Sequence, residues 1–247
     1  HAIFDGETYV VKNAGKEAIM DGVKAEVQNL KDACGEAMEQ ALFSSGGVPA
    51  AGDWIVGGSE AAQFDGIGAF LGSATPTYGG IASTDLGYLK DGTTYKWAPI
   101  RDTSTTTYTN LALMTQINKQ RAGRGANPTV IVTTNLVHAK IWSVLNTAER
   151  YTSKVNDVLA EEEFKLGSRP VLWSEFVTKT SSTAHDLITL DEKYLRLIMS
   201  PVRMPEISDP LTHTDKDVTT IRVIYAGNIL CTRINAQGIF TAINPAA

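Results

Sequence analysis

A long amphipathic segment near the start of the chain constrains the fold more than any other feature of the sequence. Between Lys16 and Phe43, apolar residues recur every three or four positions and charged residues fill the remaining faces. The recurring apolar residues are Ile19, Val23, Val27, Leu30, Cys34, Met38 and Ala41. This spacing predicts one helix of roughly 40 Å, much longer than an average helix. Because it contains Gly22 and Gly35, we expect it to be stable only along a packed surface.

The rest of the sequence combines glycine-rich loops with short helices and strands. Residues 49–106 are rich in turn residues and poor in charge, which predicts short strands and loops. A helix is predicted at residues 108–122, with Leu111, Met114 and Ile117 on one face, and another from 135 to about 146. The two helices should lie on either side of a buried strand at 129–133. Further strands are predicted at 169–174, 186–190, 218–225, 229–234 and 239–243. The fold class is therefore α+β.

Composition excludes several classes of protein. The chain has 247 residues with 43% hydrophobic residues, which is typical of a globular protein with a sizeable core. Only Cys34 and Cys231 are present, so neither a disulfide framework nor a cysteine-based zinc site is expected. No apolar run is long enough to span a membrane. The net charge of −5, without a basic platform, argues against sequence-specific nucleic-acid binding.

Residues that could carry chemistry are present but do not form a recognisable constellation. The candidates were His1, His138, His185, His213, Ser59, the glycines Gly66, Gly68 and Gly72, and the acidic run Glu161, Glu162 and Glu163. The histidines lack metal-ligand spacing, Ser59 lacks the nucleophile-elbow glycine at position 61, and the three glycines miss the dinucleotide-binding pattern. We therefore predict no catalytic, cofactor-binding or metal site and no enzyme activity.

One local excess of positive charge lies in the sequence NKQRAGRG, at Lys119, Arg121 and Arg124. Cations at a helix C-terminus usually interact favourably with the helix dipole and stay solvated, which is the favoured interpretation. A phosphate site is the less favoured alternative.

The order of these features resembles the major capsid proteins of tailed phages, which have the Hong Kong 97 fold. The segment GKEAIMDGVKAEVQNLKDACGEAMEQALFSSG resembles the long spine helix of that family. The stretches IVGGSEAAQFDGIGAFLG and TYGGIASTDLGYLKDG resemble the run that follows the helix, and LALMTQINKQRAGRGANPTVIVTTNLVHAKIWSVLN resembles the axial helix, strand and next helix. RPVLWS and VTTIRVIYAGNILCTRINAQGIFTAI resemble the strand before the axial loop and the closing strands.

The resemblance implies a domain organisation. Residues 1–13 would be the end of an extended E-loop, residues 14–48 and 212–247 the peripheral domain, and residues 49–211 the axial domain. The family's N-terminal arm has no counterpart in this sequence, and the resemblance leaves that difference unexplained. We expect residues 1–13 to lie partly on a neighbouring subunit, and the stripe of the long helix to pack against strands near 221–243.

The resemblance also implies a function. Such a chain would be a structural subunit of an icosahedral phage capsid, self-assembling into hexamers and pentamers that enclose double-stranded DNA without sequence specificity. Scaffold, portal or cement proteins would be further partners, with no membrane partner and no cofactor. The expected location is the virion, after assembly in the host cytoplasm. Two alternatives stay open: the shell of a cellular nanocompartment, and a soluble enzyme or small-ligand binder.

Overall fold

The computed structural model describes most of the chain outside three larger gaps and several short ones. The described residues are 2–5, 16–43, 65–89, 92, 95–104, 107–122, 125–144, 165–166, 168–177, 179–181, 184–201, 206–207, 211–212, 218–224 and 227–245. The chain divides into two compact units. A smaller unit comprises residues 1–42, 48–64 and 197–228, and a larger unit comprises residues 43–47, 65–196 and 229–247.

Helices and strands both contribute to the described part of the chain. Its α-helices are α1 Lys16–Phe43, α2 Ile67–Leu71, α3 Asn110–Arg121 and α4 Asn135–Val144. Its strands are β1 Ala2–Asp5, β2 Thr77–Tyr78, β3 Ile81–Ala82, β4 Ile100–Asp102, β5 Val130–Thr133, β6 Lys165–Leu166, β7 Arg169–Trp173, β8 Lys179–Ser181, β9 Ala184–Leu190, β10 Leu195–Met199, β11 Glu206–Ile207, β12 Leu211–Thr212, β13 Val218–Ile221, β14 Val223–Ile224, β15 Gly227–Cys231 and β16 Gly238–Ile243. Short 3-10 helices occupy Glu192–Tyr194 and Ile234–Ala236.

Helix α1 confirms the long helix predicted from the sequence, with 28 residues from Lys16 to Phe43. Side chains are described from Lys24 onward, and none of those from Lys24 to Leu42 is fully buried. The half-buried ones follow the predicted spacing: Val27, Leu30, Cys34, Ala37, Met38, Ala41 and Leu42. The helix therefore has the expected apolar stripe, which stays half-exposed over its described length.

The N-terminal segment has its strand partner within its own chain. Strand β1 pairs antiparallel with β13, with Ala2 opposite Ile221 and Asp5 opposite Val218. Strand β12 pairs with the other edge of β13 and completes a three-stranded sheet. For residues 2–5, β13 of the same chain therefore pairs with one edge of β1. The predicted contact of this segment with a neighbouring subunit stays a prediction. Tyr9, Val10 and Val11 lie outside the described residues.

A seven-stranded mixed sheet forms the centre of the larger unit. Its strand order is β4-β16-β9-β5-β7-β6, and β8 pairs with β9. Strand β5 lies between β9 and β7, and all four of its residues are buried. This confirms the prediction of a central, fully buried strand at 129–133.

Both α3 and α4 pack on the same face of this sheet. Their inward side chains, Leu113 and Ile117 from α3 and Val137 and Ile141 from α4, form one core cluster with Ile131, Val171, Leu187 and Phe240. The strand registers place these four strand residues on one face. The prediction of helices on either side of the strand is therefore wrong. Helix α3 connects β4 to β5, and α4 connects β5 to β7, so both connections run in the same direction across the sheet. Because such connections are right-handed, both helices lie on the same face.

The inward face of α3 also differs from the prediction. Leu111 and Met114 are exposed, whereas Gln116 and Gln120 are buried. The Gln116 amide donates a 3.0 Å hydrogen bond to the Ile100 carbonyl, and the Gln120 amide donates a 2.7 Å bond to the Thr189 hydroxyl. Two buried glutamines thus connect α3 to the sheet.

The opposite face of the sheet carries Val132, Ile188 and Ile239, which are also buried. Helix α2 lies near this side, because the Arg101 guanidinium donates to the Leu71 carbonyl. The sequence predicted only strands and loops for this region, so α2 is an additional helix.

The C-terminal strand belongs to the larger unit. Strand β16 pairs in parallel with β4 and antiparallel with β9, so both of its edges are hydrogen-bonded within that sheet. Residues 197–211 instead fall within the smaller unit. These two units differ at the C-terminus from the predicted domains, 49–211 and 14–48 with 212–247, which stay a prediction. Ile239 and Phe240 of β16 are buried between β4 and β9, which joins the C-terminal strand to the larger unit.

Candidate assembly surfaces

The candidate chemical residues that the structure describes form no metal-binding cluster. His185 is buried with its Nδ1 3.1 Å from the Thr134 hydroxyl oxygen. His138 lies on α4, where burial lowers the pKa of its imidazole. A hydrogen bond with the Val171 backbone has the opposite, smaller effect on this pKa. Among the described residues, no group of three His, Cys, Asp or Glu side chains could hold a metal ion. His1, Ser59, Arg124, Glu161–Glu163 and His213 lie outside those residues.

The remaining candidates also have structural surroundings. The short helix α2 contains Gly68 and is flanked by Gly66 at its N-cap and Gly72 at its C-cap. Its Ile67, Phe70 and Leu71 side chains are buried. Both cysteines are free thiols. Burial raises the pKa of Cys231 to about 11 and also raises the pKa of Cys34, so the thiolate form is disfavoured at both positions.

Tyr78 connects the β2–β3 hairpin to strand β15. Its hydroxyl donates a 2.7 Å hydrogen bond to the Ile229 carbonyl and accepts a 3.1 Å bond from the Cys231 amide. Burial raises the pKa of this hydroxyl, which keeps it neutral and able to donate. The hydroxyl thus satisfies two backbone groups at the edge of β15.

We expect Tyr78→Phe to lower the free energy of unfolding by about 1–3 kcal/mol, because it removes a hydrogen bond to the Ile229 carbonyl and the hydroxyl that accepts from the buried Cys231 amide. Chemical denaturation measures the change. The matched control is Tyr88→Phe, because Tyr88 is 49% exposed and its hydroxyl bonds only to that of Tyr95, 3.0 Å away. Equal destabilisation by both substitutions would contradict the proposed role of the Tyr78 hydroxyl.

Large apolar side chains are exposed at two places around the seven-stranded sheet. Near β7, they are Leu136, Trp142, Leu172 and Trp173. On α3, they are Leu111, which is 78% exposed, and Met114. Among the described residues, β6 pairs with Arg169 and Pro170, at the start of β7. Exposed tryptophans beside a partly covered sheet edge are typical of protein–protein contacts.

A two-stranded ribbon, β10 paired with β15, exposes apolar side chains on both faces. Leu197 and Ile198 are consecutive residues of β10, so they point to opposite faces, and they are 54% and 52% exposed. Leu230 on β15 is also exposed. Exposed apolar side chains of this size are typical of protein–protein contacts. The ribbon is therefore a third candidate for burial against another protein surface.

Four cations lie at the edge of the sheet where β5, β7 and β16 begin. We call this surface the basic edge: Arg121, Arg169, Lys193 and Arg233. Arg169 is only 8% exposed, and its Nε donates a 2.7 Å hydrogen bond to the Pro128 carbonyl. Burial lowers the pKa of Arg169, and the nearby charge of Arg121 lowers it further. The two arginines therefore lie close enough to repel each other.

A network of short contacts joins the two halves of the basic edge. Arg169 also donates to the side-chain oxygen of Asn127 at 3.3 Å. The backbone amide of Asn127 donates in turn to the Asp191 carboxylate at 2.8 Å. Three residues later in the chain, the Tyr194 hydroxyl accepts a 3.1 Å hydrogen bond from Arg233. The Lys193 and Arg233 cations lie 5.5 Å and 5.2 Å from the centroid of the Tyr194 ring.

Only Arg121 of these four was a candidate in the sequence. It lies with Lys119 in the last turn of α3, as the helix-dipole interpretation expects. Arg169, Lys193 and Arg233 are distant in sequence and meet only because three strands begin at the same edge. Without the strand order, no local pattern could have identified them.

The structure, unlike the sequence comparisons, gives matches to solved proteins. No protein-family model matches the sequence, and no curated protein matches it. The structure is similar to the capsid asymmetric unit of cyanophage A-1(L), with a TM-score of 0.64 and 15% identity over 98% of this chain and 76% of that chain. The capsid of Ralstonia phage GP4 matches with a TM-score of 0.57 and 13% identity over 98% and 72% of the two chains.

An encapsulin structure also has a similar fold. The SrpI encapsulin of Synechococcus elongatus PCC 7942 matches with a TM-score of 0.61 and 8% identity, over 99% of this chain and 72% of that chain. In the described part of this chain, no helix combines the length and the apolar character that crossing a bilayer requires. The α+β architecture and these matches agree with the resemblance found in the sequence. The chain has the Hong Kong 97-like fold of a major capsid protein, with a long helix and a central mixed sheet.

Proposed function

We propose that this chain is a structural subunit of a phage capsid. The observation that carries the proposal is the structural match to phage capsid chains over nearly the whole of this chain. The exposed apolar surfaces on α3, beside β7 and on the β10–β15 ribbon support it, because a shell subunit must bury several separate surfaces against its neighbours. In this role the chain is structural and not an enzyme.

The finer organisation is also part of the proposal. The larger unit corresponds to the axial domain, α1 is the spine helix of the peripheral domain, and residues 1–13 are the end of the E-loop. Subunits assemble into hexamers and pentamers of an icosahedral, tailed-phage virion that encloses double-stranded DNA. Scaffold, portal and cement proteins are candidate partners, and assembly takes place in the host cytoplasm.

A second candidate function is the shell of a cellular nanocompartment. The match to the SrpI encapsulin favours it, since its TM-score is close to that of the cyanophage capsid. The two functions differ in what the particle contains. The ratio of nucleic acid to protein in purified particles separates them, because a virion precursor can be filled with DNA and a nanocompartment encloses other cargo.

Particle size tests the proposed function. We expect the purified full chain to form particles on the order of tens of nanometres across, as measured by light scattering and negative-stain microscopy. Repeated burial of apolar surfaces drives this assembly, so the particles should persist on dilution. A monodisperse monomer or dimer under all conditions would contradict the proposal and favour a soluble enzyme or ligand binder.

A further inference from the structure

Within the described part of the chain, the four cations of the basic edge form no ion pair. Arg169 donates only to neutral oxygens, of Pro128 and Asn127, and Arg233 donates to Asn235 and Tyr194. Among the described residues, no carboxylate forms an ion pair with any of the four cations. Two acidic groups lie beside the basic edge, Asp191 and Glu192. The Asp191 oxygens accept the backbone amides of Asn127 and Lys193, and the Glu192 carboxylate accepts the Thr129 hydroxyl at 2.7 Å.

An arginine as buried as Arg169, beside a second arginine, is an unusual arrangement. Desolvating a cation is unfavourable unless an anion and sufficient hydrogen bonds compensate for it. Neutral carbonyl acceptors supply part of that compensation, whereas Arg121 opposes it. An external carboxylate at the basic edge would compensate both charges, because the planar guanidinium group binds carboxylates through paired hydrogen bonds.

Helix α1 has an acidic surface, opposite in charge to the basic edge. Asp32, Glu36 and Glu39 are spaced four and three residues apart, so they share one face of the helix, and all three are exposed. We call this surface the acidic stripe. The Gln28 side-chain amide donates a 2.8 Å hydrogen bond to Asp32. The last turn of α1 contains no basic residue, so the stripe lies toward the helix end where the dipole disfavours negative charge.

We propose that the basic edge of one copy binds the acidic stripe of α1 in a second copy. The inference rests on the proposed function and identifies one of the contacts that build the shell. Because the two surfaces are different, the contact is head-to-tail and can repeat from copy to copy until it closes into a ring. A second copy fits better than nucleic acid, because the chain as a whole has a net charge of −5 and the basic edge contains only four cations.

Charge reversal on each surface, followed by their combination, tests the proposal. The basic-edge variant is Arg121→Glu with Lys193→Glu, and the acidic-stripe variant is Glu36→Lys with Glu39→Lys. We expect each variant alone to reduce particle yield by roughly tenfold or more, because like charges then meet across the contact. The chain that carries all four substitutions should recover most of the wild-type yield. The readout is the amount of full-chain protein that sediments as particles at fixed concentration and salt.

Folding of the variants gives an independent readout. Arg121→Glu places a carboxylate beside the buried Arg169 but removes a favourable cation from the C-terminal turn of α3. Because these effects oppose each other, the basic-edge variant should unfold close to the wild-type temperature. The matched control is Lys96→Glu, a charge reversal at an exposed lysine outside the basic edge, which should leave the yield unchanged. A variant that loses particles while its melting temperature holds has lost a contact between copies.

Three outcomes would overturn the proposal. One is full particle yield from the basic-edge variant. Another is the absence of recovery when the four substitutions are combined, while wild-type particles form normally. The third is normal particles that retain less nucleic acid, which would assign the basic edge to DNA phosphates. If the wild-type chain forms no particles at all, the proposed function fails first, and this contact fails with it.

Discussion

Replacing Gly238 by alanine is expected to destabilise the larger unit by roughly 2–5 kcal/mol. A Cβ atom at this position would lie 2.0 Å from the Gln120 Nε2 atom and 2.6 Å from the Thr189 hydroxyl oxygen. The added methyl group must displace the Gln120 side-chain amide. That displacement breaks the 2.7 Å hydrogen bond from Gln120 to the Thr189 hydroxyl. Overpacking and an unsatisfied buried amide each contribute about 1–3 kcal/mol.

Urea unfolding of the variant measures this loss. The control is Gly35→Ala, because no atom lies within 4 Å of a Cβ placed at Gly35 in helix α1. That substitution should stabilise the chain by about 0.5–1 kcal/mol through the better helix propensity of alanine. Adding Gln120→Ser to the Gly238 variant should restore part of the lost stability by removing the clashing amide. An unchanged unfolding midpoint for Gly238→Ala would show that the glycine is not needed for the approach of α3.

The double substitution Leu197→Asp and Ile198→Asp is expected to abolish particles while leaving the chain folded. Both side chains are about half-exposed in the single chain, so carboxylates there should cost little before assembly. If neighbouring copies cover the two faces of the β10–β15 ribbon, assembly must bury both new charges. Burying an unpaired carboxylate costs several kcal/mol, and each particle repeats that cost at every subunit.

Circular dichroism reports on the fold of this variant, and light scattering reports on its particles. A milder pair, Leu197→Thr with Ile198→Thr, keeps β-branched side chains on the strand and should reduce particle yield less than the aspartates do. Particles at wild-type yield from the aspartate variant would show that the ribbon is not a contact. Loss of the folded chain would show instead that the ribbon belongs to the core.

Helices and strands with strong local patterns were predictable from the sequence. Features that depend on contacts between distant residues were not. Helix α1 has the predicted bounds because its apolar spacing persists over 28 residues. Strand β5 was predictable because its residues are apolar throughout, as burial on both faces requires. The inward face of α3 was not predictable, because Gln116 and Gln120 are buried through hydrogen bonds to the sheet, at positions that polarity alone assigns to solvent.

Strand partners were the other source of error. Nothing in residues 2–5 indicates that β13, more than two hundred positions away, is their partner. The sequence identified the C-terminal strand but not its place between β4 and β9. The same limit applies to the candidate surfaces, since the basic edge and the ribbon each join residues from distant segments. Only the resemblance to a known fold could supply that long-range order.

Electron cryomicroscopy of the purified full chain tests the central claim most directly. The account predicts closed shells with icosahedral symmetry, built from copies of this chain, in which the β10–β15 ribbon and the basic edge are covered by neighbouring subunits. A single compact species with both surfaces open to solvent, at concentrations and salt levels where capsid subunits assemble, would contradict the assignment of this chain as a shell subunit.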